Sequence, residues 1–166
     1  MIFVTVGNDF RPFDRLLREA DEIAPLIPCE MVIQTGTSRY RPKNAPHFDF
    51  TPFETAVAYI RKSQMVVSHA GIGTIILCRQ LGTPLIVVPR RRGLGEHMND
   101  HQMEIATALE QRKTETTVHI LYEESLLREK ILGLLERKER SEPVPPPGKA
   151  SLVRTIRSFV EGSMEP

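Results

Sequence analysis

The chain is 166 residues long, carries a formal net charge of +1, is 40% hydrophobic and 26% charged, and contains only two cysteines, Cys29 and Cys78. That length fits one domain with a full apolar core, and the balanced charge gives no pull towards nucleic acid. Both cysteines sit in apolar surroundings, which argues against a disulfide framework and for a reducing compartment. No apolar run approaches the roughly 18 residues of a membrane span, and no basic segment leads into a signal core, so a cytoplasmic location is expected.

Met1 to Val6 reads as an apolar strand that runs into Gly7-Asn8-Asp9, with Pro12 before a helix. In that helix Leu16, Leu17, Ala20, Ile23 and Ala24 recur at helical spacing. Taken alone, Asn8 or Asp9 is explained as the helix N-cap. In an open parallel sheet, however, all such turns lie at the carboxyl edge, where ligands bind, and this gives the Gly7-Asn8 turn a candidate site role.

Met31 to Gln34 is a short strand followed by the polar loop Thr35-Gly36-Thr37-Ser38, and residues 39 to 46, rich in Pro, Lys and Arg, read as exposed loop. His47 to Phe50 alternates as a strand would, and Thr55 to Lys62 is helical in pattern.

Met65-Val66-Val67-Ser68 then opens the stretch around which the chain is organised. It leads through His69-Ala70-Gly71-Ile72-Gly73-Thr74 into an apolar segment that continues to Leu81. A strand, a glycine turn and a helix together make a phosphate-binding arrangement, because the first helical N–H groups lack internal partners and the helix dipole favours an anion there. Gly71 and Gly73 permit close approach to the backbone, while His69 and Thr74 add side-chain donors. The same glycines are also explained as merely closing the turn. The third glycine of the dinucleotide fingerprint is missing, Gln34 stands where that fold carries an acidic residue, and no G-K-[ST] follows. These absences speak against a dinucleotide oxidoreductase and against a P-loop.

Gly82-Thr83-Pro84 stops the helix and starts the apolar strand Leu85 to Val88. The next loop, from Pro89 to Gln102, holds Arg90, Arg91 and Arg92, then Glu96, His97, Asn99 and His101 at the mouth of another helix. The spacing of Asn99 and Gln102 is that of a capping box. Capping leaves Glu96, His97 and His101 unexplained, and hydrogen bonding to a polyhydroxylated ligand accounts for them better than zinc, whose H-E-x-x-H order is not present. The arginines read either as solvated loop or as partners for a phosphate or an anionic surface. Thr116 to Ile120 is read as the last strand and Glu124 to Arg137 as an amphipathic helix. A Pro-rich linker over 141–149 and a C-terminal helix over 150–166 follow the main domain, 1–140.

Val66 to Thr74, Gly82 to Pro89 and Glu96 to Gln102 together closely resemble the carboxyl-terminal domain of family 28 glycosyltransferases, and Val4 to Gly7 fits as well. The resemblance covers most of residues 1 to 120. The family includes the transferase that makes lipid II, the catalytic subunit that adds the second N-acetylglucosamine to a dolichol-linked sugar, and small bacterial exopolysaccharide transferases. The 89–102 motif looks most like the last group.

The resemblance implies an α/β fold, a Rossmann-like open parallel sheet with helices on both faces, forming one half of a GT-B transferase. It implies a UDP-sugar donor, with Gly7, Asn8, His69, Ala70, Gly71, Ile72, Gly73, Thr74 and Arg90 at the nucleotide and diphosphate, and Asn99, His101 and Gln102 at the sugar. A helix terminus can stabilise the departing diphosphate without a metal, so no cofactor is expected. Inverting transfer needs a base, for which Glu96 and His97 are the candidates on this chain. The family's split members also imply a membrane-anchored subunit that binds a lipid-linked acceptor. One departure is Leu77, which stands where many members carry the glutamate that holds the ribose. A stand-alone nucleotide-sugar-binding or regulatory protein is the alternative.

Overall fold

In the computed structural model, residues 1–111 and 117–137 are described. The linker over 141–149, the helix over 150–166 and the first residue of the predicted last strand lie outside the described residues. The elements follow in the order β1 (Ile2–Thr5), α1 (Asp14–Ile23), β2 (Met31–Gln34), β3 (His47–Phe48), α2 (Phe53–Lys62), β4 (Met65–Ser68), α3 (Ile72–Leu81), β5 (Leu85–Val87), α4 (His101–Gln111), β6 (Val118–Ile120) and α5 (Leu127–Arg137). The six strands form one parallel sheet in the order β3-β2-β1-β4-β5-β6. This is the doubly wound order, and its direction reverses between β1 and β4.

The strands are apolar runs because a parallel sheet is covered on both faces. Ile2, Val4, Ile33, Met65, Val67 and Ile86 pack with Leu16, Leu17 and Ala20 of α1 and with Leu127, Ile131 and Leu134 of α5. Phe3, Val66, Leu85 and Val87 point the other way, onto Ile60 of α2, Ile75 and Cys78 of α3, and Ile105 and Leu109 of α4. Burying each such side chain contributes about 1.5–3 kcal/mol. Both cysteines are free thiols, and burial pushes Cys78 up to about 12.

Three local expectations are corrected. Neither Asn8 nor Asp9 caps α1, which starts only at Asp14 with Phe13 at the cap and no side-chain cap bond. Instead Asp9 Oδ1 accepts the Arg11 N–H at 2.9 Å and closes a turn within the loop. The capping box at α4 does not form either: Asp100 C=O accepts the first helical bond, from Glu104 N–H, and the Asn99 side chain accepts from His101 N–H instead. Residues 39–46 are not simply exposed loop. Pro42 and Ala45 are buried, and the carboxylate of buried Asp21 in α1 accepts from the backbone N–H groups of Lys43, Asn44 and Ala45 and from the Tyr40 hydroxyl. Unpaired backbone donors of the loop are satisfied in this way.

Candidate functional site

The register aligns Thr5 with Gln34 on one side and with Ser68 on the other, so the strands end level at the carboxyl edge. A cleft of about 310 Å³ opens there at the switch point, between the loops that leave β1 and β4. Gly7, Asn8, His69, Gly71, Gly73 and Thr74 line it, with Thr5, Gln34 and Thr51 as further polar lining and Phe3, Phe53, Ala56, Ile60 and Leu77 as apolar lining. Of the residues assigned to the nucleotide, six of nine therefore meet in one cleft.

His69 organises that mouth. Its ring is gripped between two glycines: a Cβ on Gly7 would come within 2.4 Å of it and one on Gly71 within 2.3 Å. Gly7 also has φ +71°, a conformation that other residues adopt only with strain. The Ser68 hydroxyl lies 3.2 Å from His69 Nδ1. Burial, reinforced by the Arg90 cation, lowers the His69 pKa to about 4 against the opposing pull of Asp9. At neutral pH the ring is therefore an uncharged hydrogen-bonding group.

Helix α3 begins directly behind this ring. Gly71 is its N-cap and no side chain caps it, so the first-turn N–H groups are available to an anion. Gly73 contributes differently from Gly7 and Gly71. A Cβ there would meet nothing within 4 Å, so protein packing does not call for glycine, although glycine in a helix costs roughly 0.5–1 kcal/mol relative to alanine. Bare backbone facing an open cleft is the form that a diphosphate-binding turn takes.

The other assigned residues lie around or behind the cleft. Ala70 is buried and Ile72 is exposed on the outer side of the turn; neither lines it. Arg90 is 0% exposed. Its guanidinium donates to the carbonyls of Arg11, Pro12, Glu96 and Val6 at 2.9–3.2 Å and lies 4.7 Å from the Phe13 ring centroid, leaving Nε buried without a partner. This arginine ties the β1 and β5 loops together from inside. Gln102 is also buried, and its Oε1 accepts from both Ala70 N–H and Arg90 N–H at 3.1 Å, which pins α4 to the loops after β4 and β5. Glu96 is 6% exposed and forms a two-bond fork with Arg15, both contacts 2.9 Å, while accepting from Arg91 N–H. His97, Asn99 and His101 sit together at the mouth of α4 and do not line the cleft. Among the described residues no three His, Cys, Asp or Glu side chains gather as metal ligands, and no helix is long and apolar enough to cross a membrane.

Sequence reading missed Thr5, Gln34, Thr51 and Phe53. The Thr5 hydroxyl donates to Gln34 Oε1 at 2.5 Å, making a buried polar floor, and Phe53 is 64% exposed at the rim. The signal was present: Thr5 and Gln34 are the polar residues that end two otherwise apolar strands.

A doubly wound sheet with an uncapped helix terminus at its switch point is the arrangement in which open α/β domains bind ligands at the carboxyl edge. The glycosyltransferase family 28 C-terminal domain matches residues 1–154, and the chain belongs to that family. Solved structures share the fold. The glycotransferase of kitacinnamycin matches at 16% identity over 80% of this chain and 34% of its own, with TM-score 0.56. ALG13, solved in solution by NMR, matches at 21% identity over 93% of both chains, with TM-score 0.58. MurG of Acinetobacter baumannii matches at 15% identity over 81% of this chain and 41% of its own, with TM-score 0.51. The chain thus spans about a third of the first of these and nearly all of ALG13. No curated protein sequence matches.

Proposed function

We propose that this chain is the donor-binding, catalytic subunit of a two-subunit glycosyltransferase, which moves a sugar by inverting transfer from a UDP-sugar to a lipid-linked acceptor in exopolysaccharide or glycan synthesis. The observation that carries the reading is the uncapped first turn of α3, with glycine at 73 facing an open cleft. The diphosphate lies over the N–H groups of residues 71–74, with Gly7, Asn8 and neutral His69 closing round it. No metal is needed, because the fixed amide dipoles already oppose the charge that develops on the leaving diphosphate.

The nucleoside lies deeper, where Thr5, Gln34 and Thr51 offer neutral hydrogen bonds and the Phe53 ring offers a stacking face. Leu77 in the wall leaves the ribose to those neutral groups rather than to a carboxylate. Asn99 and His101 face the sugar from the α4 mouth, whereas Arg90, Gln102 and Glu96 hold the loops that carry the site. A membrane-anchored partner supplies the acceptor and recruits this chain to the cytoplasmic face of the membrane.

Calorimetric titration with UDP, UDP-N-acetylglucosamine, UDP-glucose, UDP-galactose and NAD, with and without magnesium, tests this. The expected result is saturable, magnesium-independent binding of UDP and one UDP-sugar. Binding of NAD alone, or of no uridine compound at millimolar concentration with or without a co-expressed partner, overturns it.

A further inference from the structure

His97 and Asp9 form a second polar pair at the same edge, outside the cleft lining. Asp9 belongs to the loop after β1 and His97 to the loop after β5, the strands on either side of β4, and their side chains are 17% and 18% exposed. Both loops are held. The Asp9 carbonyl accepts from the Thr37 hydroxyl at 2.9 Å, and Asp9 Oδ1 accepts from Arg11 N–H. His97 Nδ1 lies 2.8 Å from Asn99 Oδ1.

The tautomer follows from the hydrogen bonds. Asn99 Oδ1 accepts the His101 N–H at 3.3 Å, which identifies that atom as the oxygen. His97 Nδ1 meets that oxygen at 2.8 Å and the Asn99 carbonyl at 3.2 Å, against one longer contact of opposite sense from the Asn99 N–H at 3.5 Å, so we assign Nδ1 as the donor and the lone pair of the neutral ring to Nε2. Nε2 faces Asp9 Oδ2 across 3.7 Å, too far for a hydrogen bond and with two acceptors opposed. A hydroxyl seated beside the pair, within hydrogen-bond distance of both groups, can donate to Nε2, and once the ring is protonated the carboxylate stabilises it. The other charged or titratable groups near the pair are Arg11 beside Asp9, at 3.9 Å, and neutral His69 and cationic Arg90 from the ends of β4 and β5.

We infer that His97 is the proton acceptor for the attacking hydroxyl in sugar transfer, with Asn99 as the positioning residue that sets its tautomer and Asp9 as the one that stabilises its cation. This rests on the donor-binding reading above. In the step, the acceptor oxygen bonds to the anomeric carbon, the bond from that carbon to the diphosphate oxygen breaks, the acceptor proton moves to His97 Nε2, and UDP leaves as the anion. Water serves as the acceptor when no other is present, so the isolated chain hydrolyses its donor slowly.

The test measures UDP release from UDP-N-acetylglucosamine, UDP-glucose and UDP-galactose by the full chain, beside UDP affinity. The expected result is slow hydrolysis of one donor. In His97→Gln kcat drops by about 100-fold or more while the UDP Kd stays within about twofold. In His97→Ala free imidazole restores part of the rate, and Asp9→Asn lowers kcat while the UDP Kd stays within about twofold. Wild-type kcat in His97→Gln overturns the inference, as does a loss of UDP affinity that accounts for the lost rate. Donor binding without any hydrolysis also overturns it, because a base held wholly in this chain can activate water. Failure of the wild-type chain to bind UDP sinks the donor reading instead.

Discussion

Replacing Gly73 with alanine should move stability and binding in opposite directions. The new Cβ meets nothing within 4 Å, so the fold gains the helix preference of alanine over glycine, roughly 0.5–1 kcal/mol. For a chain of this size that raises the Tm by about 2–4 °C for each kcal/mol. Side chains tilt towards the helix N-terminus, so the same methyl group stands over the amides that receive the diphosphate. Losing close contact with even one of these costs about 1.4 kcal/mol, or roughly tenfold in UDP affinity. Thermal melts and calorimetric titration of the one variant read both effects. If Gly73→Ala bound UDP as tightly as the wild type, the diphosphate would not lie over this turn. If it melted lower, the space beside residue 73 would not be free.

Gly71→Ala should lose about 1–3 kcal/mol through collision with the His69 ring, and in a His69→Ala background most of that loss should vanish; two additive losses in a double-mutant cycle would contradict the clamp. Arg90→Lys should lose about 3 kcal/mol or more in urea melts, because an ammonium cannot reach the carbonyls of residues 6, 11, 12 and 96 together; a loss below about 0.5 kcal/mol would contradict the staple. His69 titrates near 4 in the fold against 6.5 unfolded, so the unfolded chain binds the extra proton. Its contribution to stability is complete above pH 6.5 and is lost as the pH falls towards 4, at most about 3 kcal/mol. Urea melts from pH 7.5 to 4.5 should show that slope in the wild type and a flatter one in His69→Asn.

Much of the fold was legible because parallel strands, buried on both faces, appear as apolar runs between turns. The two-residue β3 was the weakest of these, an edge strand held only to β2 by the pairs Ile33 with His47 and Gln34 with Phe48. The strand, glycine turn and helix at the α3 mouth were legible too, and the structure puts Gly71 and Gly73 in the cleft. What escaped were jobs set by partners distant in sequence. Arg90 reads as one of three loop arginines, yet its acceptors come from residues 6, 11, 12 and 96 and draw it inside. Gln102 reads as a capping residue, yet it bonds to the backbone at 70 and 90. Asp21 looks like an ordinary polar position of an amphipathic helix until the 43–45 backbone folds over it. The Thr5 and Gln34 floor needs the β1 and β2 register before the two can be seen to meet.

The most direct measurement is an amide NMR titration of the full chain with UDP. Saturable shifts are expected, largest at the backbone N–H groups of Gly71, Ile72, Gly73 and Thr74 and at Gly7, and smaller at Thr5 and Gln34. Shifts centred elsewhere, or none at these amides with UDP at millimolar concentration, would contradict the placement of the donor diphosphate on α3.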